Sequence, residues 1–537
     1  MTDLNQESAP RFFARQATGL TREVSWRDAL IYNLLWSSLP LSLALILAFG
    51  PAFYPTANPY GAVLVALVLV VPCALLYTMF SSAVPRSGGD YTWISRSLSP
   101  AVGFMSSLSF FAWVTFFIGV YSTFLSAYGI TPFLRVLAAY TNSTGTLAAA
   151  DWFGTTTGGI VVGLVVVVGS ALVLTLGSGL RTYMKMQKWV FALWAIGAVL
   201  VPILLVFFVS KATFAIHFNE YIANLGGPAD AYDTFVASAP ASVIAPTFGG
   251  TLLMATLPFY TLGFIFQSAY FGGEIKRARK TAMRSIVGAL LIACILLLVG
   301  IAVFSSKLGD FMLATGAGDF TAVGLSSSPQ YPEIAAIASG NAIIGLIISL
   351  GMLMVFLIWI PQSMILLSRS MFAWSFDRLL PQKVSEVNPK THSPIVAVVV
   401  ITVLASCSVV LISLNPDLTF VVGLLGLTIT YLLVSIAGIM FPYRQREVFE
   451  SSPFNRRVGG VPLMSIVAAF STVFMIGMIT ILLLDENSGT SWGLNNFRVI
   501  LCLVILAVGF VAYYVIKAIQ KSRGIDLELA YKEIPPE

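Results

Sequence analysis

Two short stretches of this 537-residue chain place polar and helix-breaking residues inside apolar runs long enough to cross a bilayer. In the run 28–49, Ser37-Ser38-Leu39-Pro40 interrupts the middle. In the run 250–272, Leu257-Pro258-Phe259-Tyr260-Thr261-Leu262-Gly263-Phe264 sets a proline and a glycine on either side of the centre. Proline removes a backbone hydrogen bond and clashes with the preceding turn, so each stretch is expected to unwind by about a turn. Irregular backbone at membrane depth survives only where it is buried in protein or lines a cavity. There, the spare N–H groups and dipole of a half-helix N-terminus favour a carboxylate. Freed carbonyls favour a cation, and neighbouring hydroxyls can serve either.

The elements that carry these breaks are membrane helices. The chain is 57% hydrophobic and only 10% charged, against about 25% charged residues in soluble domains. Twelve apolar runs have the length that a hydrocarbon core demands: 28–49, 60–83, 100–128, 157–177, 188–210, 250–272, 285–306, 341–367, 394–414, 418–441, 461–484 and 498–516. Lys and Arg favour cytoplasmic loops. With a cytoplasmic N-terminus, all but Arg135, Lys211, Lys307 and Arg498 of the 30 basic residues fall on the cytoplasmic side. The expectation is an all-α integral membrane protein of the plasma membrane with both termini cytoplasmic. Residues 1–27 are polar and basic with no cleavable apolar leader, and 519–537 form the second tail. The loops 129–156, 211–249 and 307–340 are expected outside.

Placement of the basic residues points to the bilayer rather than to nucleic acid. Cys73, Cys294, Cys407 and Cys502 each lie in a different apolar run, and His217 and His392 are far apart. No metal site, cofactor site or nucleophile–base pair is expected, and with them no enzyme. No Asp, Glu, Lys, Arg or His occupies the middle of a span; Glu274 and Asp417 touch the ends of theirs. Carboxylate relays and voltage sensing are therefore disfavoured. So is a site that pairs with a charged side chain.

The two breaks lie five spans apart. Five is odd, so a second copy of a five-span unit must enter the membrane from the opposite side. That is the inverted-repeat plan of secondary transporters, whose paired discontinuous helices hold the site near the midplane. Residues 28–210 (spans 1–5) and 250–441 (spans 6–10) form the expected repeats, and 461–518 adds two further spans.

Three loops carry a family resemblance. Pro85-Arg86-Ser87-Gly88-Gly89-Asp90-Tyr91, followed by Ser95-Arg96-Ser97-Leu98-Ser99-Pro100, resembles the signature of amino acid permeases of the amino acid–polyamine–organocation superfamily. Gly272-Gly273-Glu274-Ile275-Lys276 resembles that family's segment after span 6. Ser368-Arg369-Ser370 with Trp374-Ser375-Phe376-Asp377-Arg378-Leu379-Leu380-Pro381 resembles its motif after span 8. The resemblance implies a leucine-transporter-type fold of 5+5 inverted repeats plus two helices, working by alternating access. It places an amino acid's carboxylate near the unwound part of span 1, by position Ser37, Ser38, Leu39, Pro40 and Leu41, and its ammonium near carbonyls of spans 1 and 6, in span 6 at Thr261, Leu262, Gly263 and Phe264. Tyr260 and Gln267 lie nearby as candidate gate or side-chain contacts, and Trp36 adds an aromatic face beside the first break. Leu39-Pro40-Leu41 stands where the family favours glycines.

Arg86, Asp90, Arg96, Glu274 and Lys276 are expected to form a cytoplasmic gate of ion pairs. The aromatic supply near the breaks and the charge-free core suit neutral, apolar amino acids. Polyamine exchange and a non-transporting scaffold are the alternatives. Sodium and protons are both open as coupling ions, with Ser349 a candidate sodium ligand and Asp90 or Glu274 candidate proton carriers.

Overall fold

The computed structural model describes residues 23–177, 180–240, 245–388, 393–415, 422–493 and 496–531. Arg11, Arg15, Arg22, Lys390, His392, Asp417, Lys532, most of the expected N-terminal tail and residues 532–537 of the second tail lie outside them. The described chain is almost entirely helical, and its one sheet is the two-residue hairpin Arg457–Val458 with Val461–Pro462.

The first span is two helices, α1 (Trp26–Trp36) and α2 (Leu39–Phe53). A reciprocal Ser25–Asp28 cap starts α1 by satisfying N–H groups that have no partner within the helix. α3 (Pro59–Ala83) leads to the short helix α4 (Asp90–Ser97). α5 (Pro100–Phe124) runs through a π turn at Leu125–Ile130 into α6 (Thr131–Thr141). α7 (Thr156–Leu176) and α8 (Leu180–Leu193) follow, and α8 continues through a second π turn to Phe208. The sixth apolar run yields two short helices, α9 (Phe248–Met254) and α10 (Thr256–Leu262). After them come α11 (Ala278–Ala317), α12 (Ala342–Phe376), α13 (Ile395–Leu414), α14 (Val422–Arg444), α15 (Leu463–Leu484), α16 (Phe497–Ser522) and the short α17 (Leu527–Tyr531).

Eleven helical stretches among the described residues are long and apolar enough to span a membrane, counting Trp26–Phe53 as one. The twelfth expected run is the broken pair α9–α10. In its most apolar window Trp26–Phe53 is 78% buried, whereas Phe497–Ser522 is 22% buried. The broken first span is therefore central and α16 peripheral. Outer helices turn residues such as Leu176, Phe208 and Val511 outward, as a lipid-facing surface requires.

The sixth run does not unwind between Pro258 and Gly263 as expected. Pro258 sits in the first turn of α10, where the N–H it lacks is one of those without a partner inside the helix. Tyr260, Thr261 and Leu262 are helical, and the chain leaves the α-helix only at Gly263. From there to Glu274 it proceeds by turns and 3-10 segments. The long segments 129–156, 211–249 and 307–340, expected as external loops, carry helices of their own among the described residues. They contain α6, Thr144–Phe153, Lys211–Asn224 and Tyr331–Ser339. An aromatic cluster of Phe214, Phe218, Tyr232, Phe235 and Phe311 packs two of these segments together.

Candidate functional site

Ser38 makes the first break. Its φ of 45° and ψ of 42° are left-handed, a conformation costing a non-glycine residue roughly 1–2 kcal/mol. The helix ladder stops there: Ser37 N–H still reaches Asn33 O, while Ser42 N–H opens the next ladder on Ser38 O. Among the described residues no backbone carbonyl accepts from Leu39 or Leu41 N–H. Pro40 has none to offer and occupies the first turn of α2, so the proline begins a half-helix rather than damaging a whole one. The N-terminus of α2 and the C-terminus of α1 thus meet within two residues, presenting opposite partial charges.

The second break faces the first. Thr261 Oγ1 on α10 hydrogen-bonds Ser42 Oγ on α2. Trp36 stacks on Phe264 with centroids 5.9 Å apart. Helix α10 ends at Gly263, whose N–H reaches Phe259 O, so the negative end of its dipole lies beside the α1–α2 break. A Cβ on Gly263 would stand 3.0 Å from Phe259 O, which explains the small residue. Trp36, Ser37, Ser38, Leu39, Pro40, Thr261, Leu262, Gly263, Phe264 and Gln267 are all buried. Leu41 is also buried, yet with Tyr260 it reaches a cavity.

Three participants came from neither break. Trp359 on α12 meets Trp36 edge-on at 4.6 Å and stacks on Tyr121 of α5 at 4.0 Å. Phe117, one turn before Tyr121, approaches Phe264, Tyr260 and Trp359. Tyr121 OH donates to Ser38 Oγ at 2.9 Å, and Tyr260 OH donates to Tyr121 OH at 3.4 Å. The Phe117/Tyr121 pair at helical i, i+4 spacing was the signal available in the sequence. Ser349 is buried on α12 with its hydroxyl unpartnered. It lies ten residues before Trp359, about 15 Å along the helix, and is not among the residues gathered at the breaks.

Above this aromatic floor is a cavity of about 330 Å³, lined by Leu41, Leu45, Phe117, Val120, Leu257 and Tyr260 among others. Its rim includes Tyr54 and Thr256, whose hydroxyls both donate to Asp485, at 2.7 and 3.2 Å. Burial raises the carboxyl of Asp485, at the end of α15, above the usual carboxylate range.

The opposite side is closed by two buried bidentate ion pairs. Arg96 holds Asp377 at 2.6 and 2.7 Å, and Arg369 holds Glu274 at 2.9 and 3.0 Å. Of the five expected gate residues, Arg96 and Glu274 form ion pairs, with Asp377 and Arg369. Lys276 is exposed and contributes its backbone N–H to Val24 O. Arg86 lines a separate basic pocket with Arg277, Arg279 and Lys280. Asp90 has no cationic partner among the described residues; it accepts from Tyr270 OH at 2.6 Å and Tyr77 OH at 3.4 Å. The closure is reinforced from α17, where Tyr531 OH meets Tyr91 OH at 3.0 Å and the Tyr531 ring lies under Arg96.

Many apolar spanning helices, broken at a shared buried centre, define a multi-pass membrane transporter. A family model for amino acid permeases matches residues 31–508. The chain belongs to that family. No curated protein matches it.

Proposed function

We propose that the protein is a secondary active transporter that moves neutral, apolar amino acids across the plasma membrane by alternating access. In this reading, spans 1–5 and 6–10 are inverted repeats joined by two further spans, and both termini are cytoplasmic. The observation that carries it is the meeting of the two breaks: α2 begins, and α1 and α10 end, within one buried aromatic enclosure. A zwitterion fits opposed half-helix ends, its carboxylate toward the α2 N-terminus and Ser38, its ammonium toward carbonyls ending α1 and α10. Phe117, Tyr260, Phe264 and Trp359 would enclose an apolar side chain.

The face bearing Arg96, Arg369 and most basic residues is the cytoplasmic one by charge placement. The described conformation then faces outward: the cavity lies on the far side, and Arg96–Asp377 and Arg369–Glu274 lock the inner side. The Tyr260–Tyr121–Ser38 hydrogen-bond chain separates cavity from break, so entry of substrate requires Tyr260 to swing. The test is purified protein in liposomes, offered labelled amino acids with imposed sodium or proton gradients. Saturable uptake of Leu, Ile or Phe in preference to Lys and Glu supports the reading. Uptake of polyamines alone overturns its substrate class.

A further inference from the structure

The buried carboxylates Asp377, Glu274 and Glu333 each have an arginine within 3.4 Å. Asp90 is just as buried and, among the described residues, has none. It opens α4, on the segment between two spans. Oδ2 takes the Tyr270 and Tyr77 hydroxyls, while Oδ1 has no hydrogen-bond partner. An isolated ionised carboxylate in such a place is costly, so the empty oxygen calls for an occupant.

The surroundings are built for it. Gly88 and Gly89 have φ of 92° and 49°, backbone that side chains resist. A Cβ on Gly89 would lie 3.1 Å from the Tyr270 ring, so the glycine pair lets the start of α4 approach Tyr270. The titratable groups facing Asp90 are Tyr77 and Cys73 from α3, Tyr270 from the unwound segment, and Tyr431 from α14. Arg369 of α12, whose main-chain oxygen passes near Gly88, is engaged by Glu274.

The pocket also connects to the site. Tyr270 lies on the same unwound segment as Gln267, which donates to Tyr431 OH at 3.1 Å and leaves its own Oε1 unpartnered. The Tyr431 ring packs edge-on against Tyr77. Any movement of the segment after Gly263 that opens the inner side must therefore disturb Tyr270 against Asp90.

We propose that Asp90 is a proton-binding site that couples transport to a proton gradient, holding a proton while the inner side is closed and releasing it when that side opens. The inference rests on the transport reading above. In the closed state burial pushes the Asp90 carboxyl up to about 7, with the Tyr270 and Tyr77 hydroxyls and the main-chain N–H groups of Tyr91 and Asp90 at the start of α4 pulling the other way. A proton from water adds to Oδ1, forming one O–H bond and neutralising the carboxylate, while Oδ2 keeps its tyrosine donors. When the unwound segment shifts and water enters, the desolvation that raised the carboxyl is relieved. The O–H bond then breaks and the proton passes to water on that side. Symport toward the inner side follows when the proton is taken up from water on the cavity side while the inner side is closed, where binding is tight, and given up to the inner side once it opens, where binding is weak.

The test uses the full chain in lipid nanodiscs and follows the protonated-carboxyl C=O band by infrared titration through neutral pH. A band titrating near neutrality in the wild type and missing in Asp90→Asn is expected. A wild-type spectrum without such a band, or an unchanged band in the variant, overturns the site. Should Asp90→Asn fail to fold, Tyr270→Phe carries the test, because loss of a donor to the carboxylate must move the midpoint upward; an unmoved midpoint overturns the proposal. In liposomes, uptake of labelled leucine should rise when the exterior is acidified, with that response flattened in Asp90→Asn. Leucine uptake indifferent to the proton gradient refutes coupling. A wild type that carries no amino acid refutes the transport reading, while the infrared titration still decides the proton site.

Discussion

Neutralising Glu274 tests whether the inner closure is held electrostatically. Glu274 and Arg369 side chains are 4% and 5% exposed and joined by two hydrogen bonds of 2.9 and 3.0 Å. In Glu274→Gln the guanidinium faces a neutral amide in the same buried place. Removing one partner of a buried pair destabilises by about 3–5 kcal/mol, and the amide's residual hydrogen bond puts this case near the lower end. The penalty applies to the closed state only, since an opened gate hydrates the arginine. At 1.4 kcal/mol per decade, roughly 3 kcal/mol shifts the closed–open balance about 100-fold toward open. Hydrogen exchange by mass spectrometry reads this as faster exchange in residues 88–98 and 368–378. Transport rate should change, and the affinity for substrate from the outside should fall as the outward state is depleted. Adding Arg369→Met should restore much of the protection, because no unpaired charge then remains in the closed state. Unchanged exchange in both segments would refute the reasoning, whatever happened to transport.

The remaining predictions probe separate parts of the account. Tyr531→Ala removes the ring beneath Arg96 and the hydroxyl on Tyr91; exposed or partly buried cation–π contacts are worth about 0.5–2 kcal/mol, so inner-gate exchange should quicken about 2- to 30-fold, less than in Glu274→Gln. Tyr121→Phe cuts the chain between Ser38 and Tyr260 and should speed substrate association measured by stopped-flow tryptophan fluorescence; an unchanged rate would show that Tyr260 is no barrier. Ser38→Gly relieves the left-handed strain but loses the Tyr121 hydrogen bond, so its thermal midpoint should match or exceed that of Ser38→Ala, which loses the bond and keeps the strain. Stability should also depend on pH through Asp90. Its carboxyl is raised from 3.8 to about 7, so the folded state keeps a proton that the unfolded chain has lost. Stability therefore falls as pH rises through that window, and thermal scans should show the fall diminished in Asp90→Asn.

Much of the architecture was legible because membrane helices announce themselves by length and apolarity. The first break is legible in Ser37-Ser38-Leu39-Pro40, including the uneasy place of proline where the family resemblance implies glycine. The structure resolves that unease: Ser38 itself takes the left-handed backbone that a glycine would supply, and Pro40 then starts α2. The second break lies beyond Gly263 because Pro258, in the first turn of α10, interrupts the run only at Ala255, while unwinding beyond Gly263 has no strong local signal. It is stabilised by distant groups such as Asn33, whose Oδ1 accepts from Ser268 N–H at 2.9 Å. The gate residues were singled out from their loops, but pairing Arg96 with Asp377 across 281 residues is a tertiary fact. Trp359 and the Phe117/Tyr121 pair were missed for a related reason. An aromatic side chain in an apolar helix looks the same whether it packs or lines a site.

The central claim is that the two facing breaks form the binding site for an apolar amino acid. It is tested most directly by calorimetric binding of leucine to purified protein, comparing wild type with Gly263→Val and Ser37→Leu, each checked for intact folding by thermal melting. Saturable binding to the wild type and its loss in both folded variants are expected, because added bulk meets Phe259 O or fills the enclosure beside α1. Wild-type affinity retained in both variants would contradict it.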